Sequence, residues 1–197
     1  MHKETARTVL FEIDKILNEL NIRYFLTGGT LLGAIREGKI IECDTDMDLG
    51  CLDEEFRPKI KILVNAFKAN DFTPVLLKRG YKGEIRGLNL NKTIDGHKVH
   101  CCLVSFRKHK GFRYYHYNAK GDAKVLPEKF INQCVFINFL GLKVRVPELA
   151  QDVLSYIYGD DWRIEQHIKV WVKQPLEIRY NLFIREAKGS DIFWWSK

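Results

Sequence analysis

Apolar residues near the start of the chain recur at steps of three and four: Ala6, Val9, Leu10, Ile13, Ile16, Leu17 and Leu20. That spacing gathers them on one face of an amphipathic helix, predicted to end near Asn21. Arg23 to Thr27 (RYFLT) reads as a short buried strand running into paired glycines. Leu31 to Arg36 leaves room for one or two helical turns, stopped by Gly38. Aspartates then alternate with Met47 and Leu49, the period-two pattern of a strand from Met47 to Leu52. Asp53 is the expected N-cap of a following helix, with Glu54 and Glu55 at its positive end and Pro58 in its first turn. That helix is predicted to run through Ile60, Leu63, Ala66 and Phe67 to about Ala69.

Strand-like pieces follow at Thr73 to Leu77, Tyr81 to Leu88 and Lys98 to Phe106. Hairpins are predicted around Gly111 and, within Val135 to Val146, at Gly141. Pro147 is expected to start a helix carrying Leu149, Val153, Leu154 and Ile157, and a last helix is expected from Pro175 to Ala187. The pattern is α+β in a single domain over residues 1–197, with a helical C-terminal part from about 147.

Composition narrows the class. With 197 residues, 46% hydrophobic and 29% charged, the chain has the make-up of one globular domain and not of a disordered tail. No apolar run is long enough to cross a bilayer, and acids interrupt the apolar pattern of the N-terminus, unlike a signal peptide. A soluble, cytoplasmic protein is expected. The net charge of +7 suits an anionic partner or simply solubility. Its basic residues are scattered, so no dedicated nucleic-acid footprint is evident. Five cysteines with no CxxC pair point to reduced thiols.

Candidate chemistry concentrates between Thr27 and Gly50, TGGTLLGAIREGKIIECDTDMDLG. In an extended strand, Asp44, Asp46 and Asp48 share one face. Carboxylates this close raise one another's pKa unless a cation neutralises them. A hard divalent ion such as Mg²⁺ is the natural partner, because one or two carboxylates plus substrate phosphates commonly hold it. Upstream, the Gly28-Gly29-Thr30 turn at a strand end can offer backbone N–H groups to a phosphate.

The segment GTLLGAIREGKIIECDTDMDLG resembles the signature of the LicD/fukutin family, GTLLGAxRxxxxIPWDDDIDIG. It matches at Gly29, Thr30, Leu31, Leu32, Gly33, Ala34, Arg36, Ile41, Asp44, Asp46, Asp48 and Gly50. Further on, LPEKF (residues 126–130) and VPELAQDVLSYIYGDDWR (residues 146–163) are similar to the family's P…YL…YG..W ending. The resemblance implies a nucleotidyltransferase-like mixed sheet flanked by helices. It implies a phosphotransferase that moves phosphocholine or a polyol phosphate from a CDP-activated donor, a CDP-alcohol, to a hydroxyl of a glycan or lipid-linked glycan. Asp46 and Asp48 would be the catalytic pair and hold Mg²⁺ (or Mn²⁺). Gly28, Gly29, Thr30 and Asp44 would line the donor, and Arg36 would clamp phosphate, with a salt bridge to Glu37 or Asp44 as its alternative role.

The sequence departs from the family pattern in three places. Glu42-Cys43 stands for Pro-Trp, and Thr45 for the middle aspartate, at a position expected to point away from the metal. The family's third acid, on an h-D-h-F strand, has its best counterpart in KVHCCLVSF, where His100 takes the aspartate's place. His100 is therefore a candidate general base, a ligand to a softer metal, or a vestige; Glu84 or Asp95 are other sources of a carboxylate. His97, His100, Cys101 and Cys102 match no common zinc spacing. Two further classes share the same features: a nucleotidyltransferase that attaches NMP to a small molecule, protein or RNA, and a decayed module that binds nucleotide or glycan. The basic hairpin from Arg107 to His116 is read as solvated or as a grip on an anionic acceptor. The FWWSK end is expected to pack on its own domain, with peripheral membrane contact as the alternative.

Overall fold

The computed structural model describes residues 1–78, 85–116 and 123–165. Helix α1 (Lys3–Glu19) buries Ala6, Val9, Leu10, Ile13, Ile16 and Leu17, as its periodicity predicts. Strand β1 (Tyr24–Leu26) leads into helix α2 (Gly28–Arg36), and strand β2 (Asp46–Leu52) carries the alternating aspartates. Helices α3 (Asp53–Phe56) and α4 (Ile60–Ala69) follow, then strands β3 (Thr73–Lys78), β4 (Ile85–Ile94) and β5 (His97–His109). The remainder comprises β6 (Phe112–His116), β7 (Ala123–Pro127), the hairpin β8 (Cys134–Phe139) and β9 (Leu142–Pro147), and helix α5 (Ala150–Tyr158).

The main sheet runs β1-β2-β5-β4-β3, with β6 and β7 extending from the far end of β5. It is mixed: β2 lies parallel to β5 and the other described pairs in it are antiparallel. One face is the core. Met47, Leu49, Leu88, Leu90, Cys101 and Leu103 are all fully buried there. Helix α1 covers that side and packs against α4. Polar contacts from the strands pin the helix: Tyr24 donates its hydroxyl to Asp14 at 2.9 Å, and Lys92 reaches Glu12.

The opposite face divides in two. Phe25, Phe106 and Tyr115 pack ring on ring and close one end. At the other end the residues of β2, β5 and β4 stay half-buried, leaving a polar surface open.

Four local expectations are corrected. Asp53 does not cap a helix: it is the first residue of α3, and its buried carboxylate accepts from Arg57 at 2.8 and 3.0 Å and from the Ser105 hydroxyl at 2.9 Å. The predicted single helix to Ala69 is broken by a 3₁₀ segment, Arg57–Lys59, because Pro58 has no N–H to continue the ladder. Pro147 ends β9, paired with Cys134, and α5 begins only at Ala150. The strand expected to end at Leu88 continues to Ile94 in β4. Residues 79–84 and the expected helix from Pro175 to Ala187 lie outside the described residues, as does the FWWSK end. Among the described residues, no helix is long and apolar enough to cross a membrane.

Candidate active site

Two turns of chain build the open polar surface. At the end of β1 the backbone of Thr27 donates to the carbonyl of Asp48 at 3.0 Å, so the strand end and the aspartates arrive together. Helix α2 starts there, and its first turn grips Asp48 twice. The amide of Gly29 donates to Asp48 Oδ2 at 3.1 Å, and Thr30 Oγ1 accepts the amide of Asp48 at 2.8 Å.

The paired glycines are needed for this closeness. Gly28 has φ +55, and a Cβ there would overlap the Asp48 carboxylate. At Gly29 a Cβ would sit 2.6 Å from Asp44 Oδ2. The Gly28-Gly29 turn is thus lined with carboxylate, and the helix N-terminus that favours an anion already faces Asp48.

Asp44 precedes the strand instead of lying in it. A turn, with the Asp44 amide donating to the Ile41 carbonyl at 2.9 Å, folds its side chain back over Gly29 and toward Asp46. Burial, then the hydrogen bond and charge of Asp46, then the charge of Asp48, push the Asp44 carboxyl up to about 7. Three acids crowd one turn, and their mutual repulsion raises the proton affinity of Asp44.

Strand pairing extends the wall sideways. Parallel register sets His100 beside Asp46 and Cys102 beside Asp48. Antiparallel register on the other flank of β5 sets Asn91 beside His100 and Asn89 beside Cys102. Residues in register share a face, so two acids, His100, Cys102 and two asparagines form one polar patch across three strands. The ring of His100 is held by Asn91, Nδ1 to Oδ1 at 2.8 Å.

Other candidates are placed elsewhere or differently engaged. Arg36 is bound through its guanidinium to Glu37, its Nε at 3.0 Å, which is the salt-bridge role. Thr45 is exposed and Asp95 sits exposed in the turn between β4 and β5, while Glu84 lies outside the described residues. His97 and Cys101 fall on the core side, by strand parity, away from His100 and Cys102. His97 stacks on His2 at 4.3 Å and Cys101 is fully buried, so the four do not assemble a zinc site. In the basic hairpin, Arg113 is buried and bound to Glu54 at 2.7 Å and to Glu128 at 3.2 Å. Lys108 joins Glu128 at 2.9 Å, so much of that charge is neutralised internally.

Among the described residues, no three His, Cys, Asp or Glu side chains form a ready cage for a metal ion. The donor set nonetheless fits a hard divalent ion that takes two carboxylates and completes its shell with phosphate oxygens and water. Asp46 and Asp48 would supply those oxygens, and the raised Asp44 carboxyl marks charge that such an ion would neutralise. Asn89 and Asn91 escaped the sequence reading. Their signal was present: Asn89-Leu90-Asn91 repeats the polar-apolar-polar spacing of Asp46-Met47-Asp48.

Residues 21–148 match the LicD/FKTN/FKRP nucleotidyltransferase domain, a stretch that runs from before β1 to just past β9 and contains the whole patch. Over 53 residues the chain is 47% identical to human Ribitol 5-phosphate transferase FKRP, covering 27% of this chain and 10% of that protein. It is 25% identical over 185 residues to Ribitol-5-phosphate transferase FKTN of Macaca fascicularis, covering 91% of this chain and 38% of that one. The chain therefore spans well under half the length of these relatives. A solved structure of the antibiotic-resistance factor ANT(2'')-Ia aligns over 97% of this chain and 88% of its own, at 15% identity and a TM-score of 0.45. With a domain match covering well over half of its residues, the chain belongs to the LicD/FKTN/FKRP family.

Proposed function

We propose that this chain transfers a substituted phosphate, a polyol phosphate or phosphocholine, from a CDP-activated donor to a hydroxyl of a glycan or lipid-linked glycan. The observation that carries the reading is the crowding of Asp44, Asp46 and Asp48 against the Gly28-Gly29 turn, with Asp44 pushed up to about 7. Carboxylates crowded this closely on one turn call for a cation, and a phosphate donor brought with that cation would meet the turn. Family membership and two relatives named as ribitol 5-phosphate transferases support the same chemistry.

In the proposed reaction, the acceptor oxygen bonds to the phosphorus of the transferred group. The P–O bond to CMP breaks, CMP keeps that electron pair, and the hydroxyl proton goes to a base. Asp46 and Asp48 would hold Mg²⁺ (or Mn²⁺), which when bound offsets charge on the phosphoryl oxygens. Gly28, Gly29 and Thr30 shape the turn beside the donor, and Asp44 adds the third acid of that wall. Arg36 would have to exchange Glu37 for phosphate to act as a clamp. His100, in register with Asp46, is the residue available to take the proton.

The test is turnover of CDP-ribitol, CDP-glycerol and CDP-choline with Mg²⁺, following CMP. CMP release that disappears on Asp46→Asn is the expected result. Pyrophosphate release from CTP, with no CMP from the CDP-linked donors, would instead assign the chain to nucleotidyl transfer.

A further inference from the structure

His100 is flanked on its two sides by different chemistry, and its ring is hydrogen-bonded on the β4 side. On the β2 side stands Asp46, and on the β4 side stands Asn91, whose Oδ1 meets Nδ1 at 2.8 Å. An amide oxygen can only accept, so Nδ1 must be the nitrogen that carries the proton. In a neutral imidazole the other nitrogen, Nε2, is then an acceptor. A free histidine favours the opposite arrangement, with the proton on Nε2. Left to itself, His100 would present a donor where a base is wanted.

Asparagine is also an uncommon choice within a strand, and Asn91 is half-buried at mid-length of β4. A position of that kind is more readily filled by a β-branched or apolar residue unless its amide has a task.

We propose that Asn91 is a positioning residue that fixes His100 in the Nδ1–H tautomer, leaving Nε2 as the basic nitrogen beside the Asp46–Asp48 wall. This rests on the phosphotransfer reading above. The bare Nε2 takes the proton of the acceptor hydroxyl as its oxygen bonds to phosphorus and CMP departs. Asn91 touches neither substrate nor phosphate in this scheme and acts only through the ring it orients.

The tautomer is read directly from a two-bond ¹H–¹⁵N correlation spectrum of the full chain, labelled with ¹⁵N-histidine, at pH 8.5. H100Q identifies the His100 signals by their loss. The expected wild-type pattern is Nδ1–H, changing to Nε2–H in Asn91→Val, a substitution suited to a strand. Asn91→Asp keeps an acceptor and should keep the Nδ1–H pattern. In parallel, CMP release from CDP-ribitol with Mg²⁺ should fall about ten- to a hundredfold in N91V, part of the 10²–10⁴-fold that a general base supplies. It should stay within about threefold of wild type in N91D, on the same reasoning.

An Nε2–H pattern in the wild-type protein overturns the proposal without any variant needing to fold. So does N91V turning over at the wild-type rate. A wild-type protein with the Nδ1–H pattern that releases no CMP from any CDP-linked donor upholds the positioning role and counts against the phosphotransfer reading, so the two failures are distinguishable.

Discussion

Thr30 accepts the backbone N–H of Asp48 at 2.8 Å, and this bond couples the start of α2 to the strand that bears the aspartates. Thr30 is itself buried. Thr30→Val, close in shape but without the acceptor, leaves the Asp48 amide without this partner. The expected cost is roughly 1–3 kcal/mol, the penalty for an unsatisfied buried polar group. Thr30→Ser should retain most of it. Urea unfolding of the two variants checks this, and equal midpoints would refute the coupling.

Asp46 and Asp48 are half-buried on the open face, so their replacement by asparagine should leave the fold intact. Turnover should drop on the order of 10²-fold or more, the scale at which one preorganised electrostatic group acts. The stabilisation by added Mg²⁺ in a thermal melt should vanish as well, since a ligand raises native stability only while it binds. An Asp46→Asn protein that keeps both its turnover and its metal-dependent melt would sink the assignment of the pair.

Asp44 gives a pH dependence of definite sign. Its carboxyl is raised from 3.8 to about 7, first by burial and then by Asp46 and Asp48. A raised acid pKa means that the folded chain holds this proton more tightly than the unfolded one. The stability from this group is full below about 4 and is lost as the pH climbs through about 7. In metal-free protein, Asp44→Asn should therefore raise the melting temperature more at pH 8.5 than at pH 5. Mg²⁺ should narrow the gap at pH 8.5 by neutralising the same charge. A pH-independent effect of the substitution would contradict the crowding.

Gly29→Ala tests the close approach of turn and acid. Its Cβ would lie 2.6 Å from Asp44 Oδ2, so one of the two must move. Asp44 lies outside regular strand and can swing away, which predicts a modest change in stability. The expected signature is a weaker Mg²⁺ shift and lower turnover in a folded protein. Unaltered metal binding, measured by calorimetry, would show that the turn need not touch the acids.

Much of the fold was legible because burial and periodicity are local signals. The apolar stripe of α1, the alternation in β2 and the glycine turns of both hairpins each record which side of one element meets the core. Asp53 and Pro147 misled for a single reason. A capping aspartate or a helix-starting proline is only a preference, and partners distant in sequence decided otherwise: Ser105 drew Asp53 inward, and Cys134 drew Pro147 into a strand.

By itself, the sequence determined the mixed α+β class, the acids of the Thr27 to Gly50 segment and the family, all carried by residues close together along the chain. Which side chains stand next to those acids was a tertiary matter. The parallel pairing of β2 with β5, and the antiparallel pairing of β5 with β4, bring His100 between Asp46 and Asn91 although these three positions are widely spaced in sequence. Register between strands is set by the burial of whole faces and by backbone hydrogen bonds, neither of which a stretch of a few residues encodes. For that reason the histidine was visible as a departure from a motif, while the asparagine that holds its ring became visible only once the strands were paired.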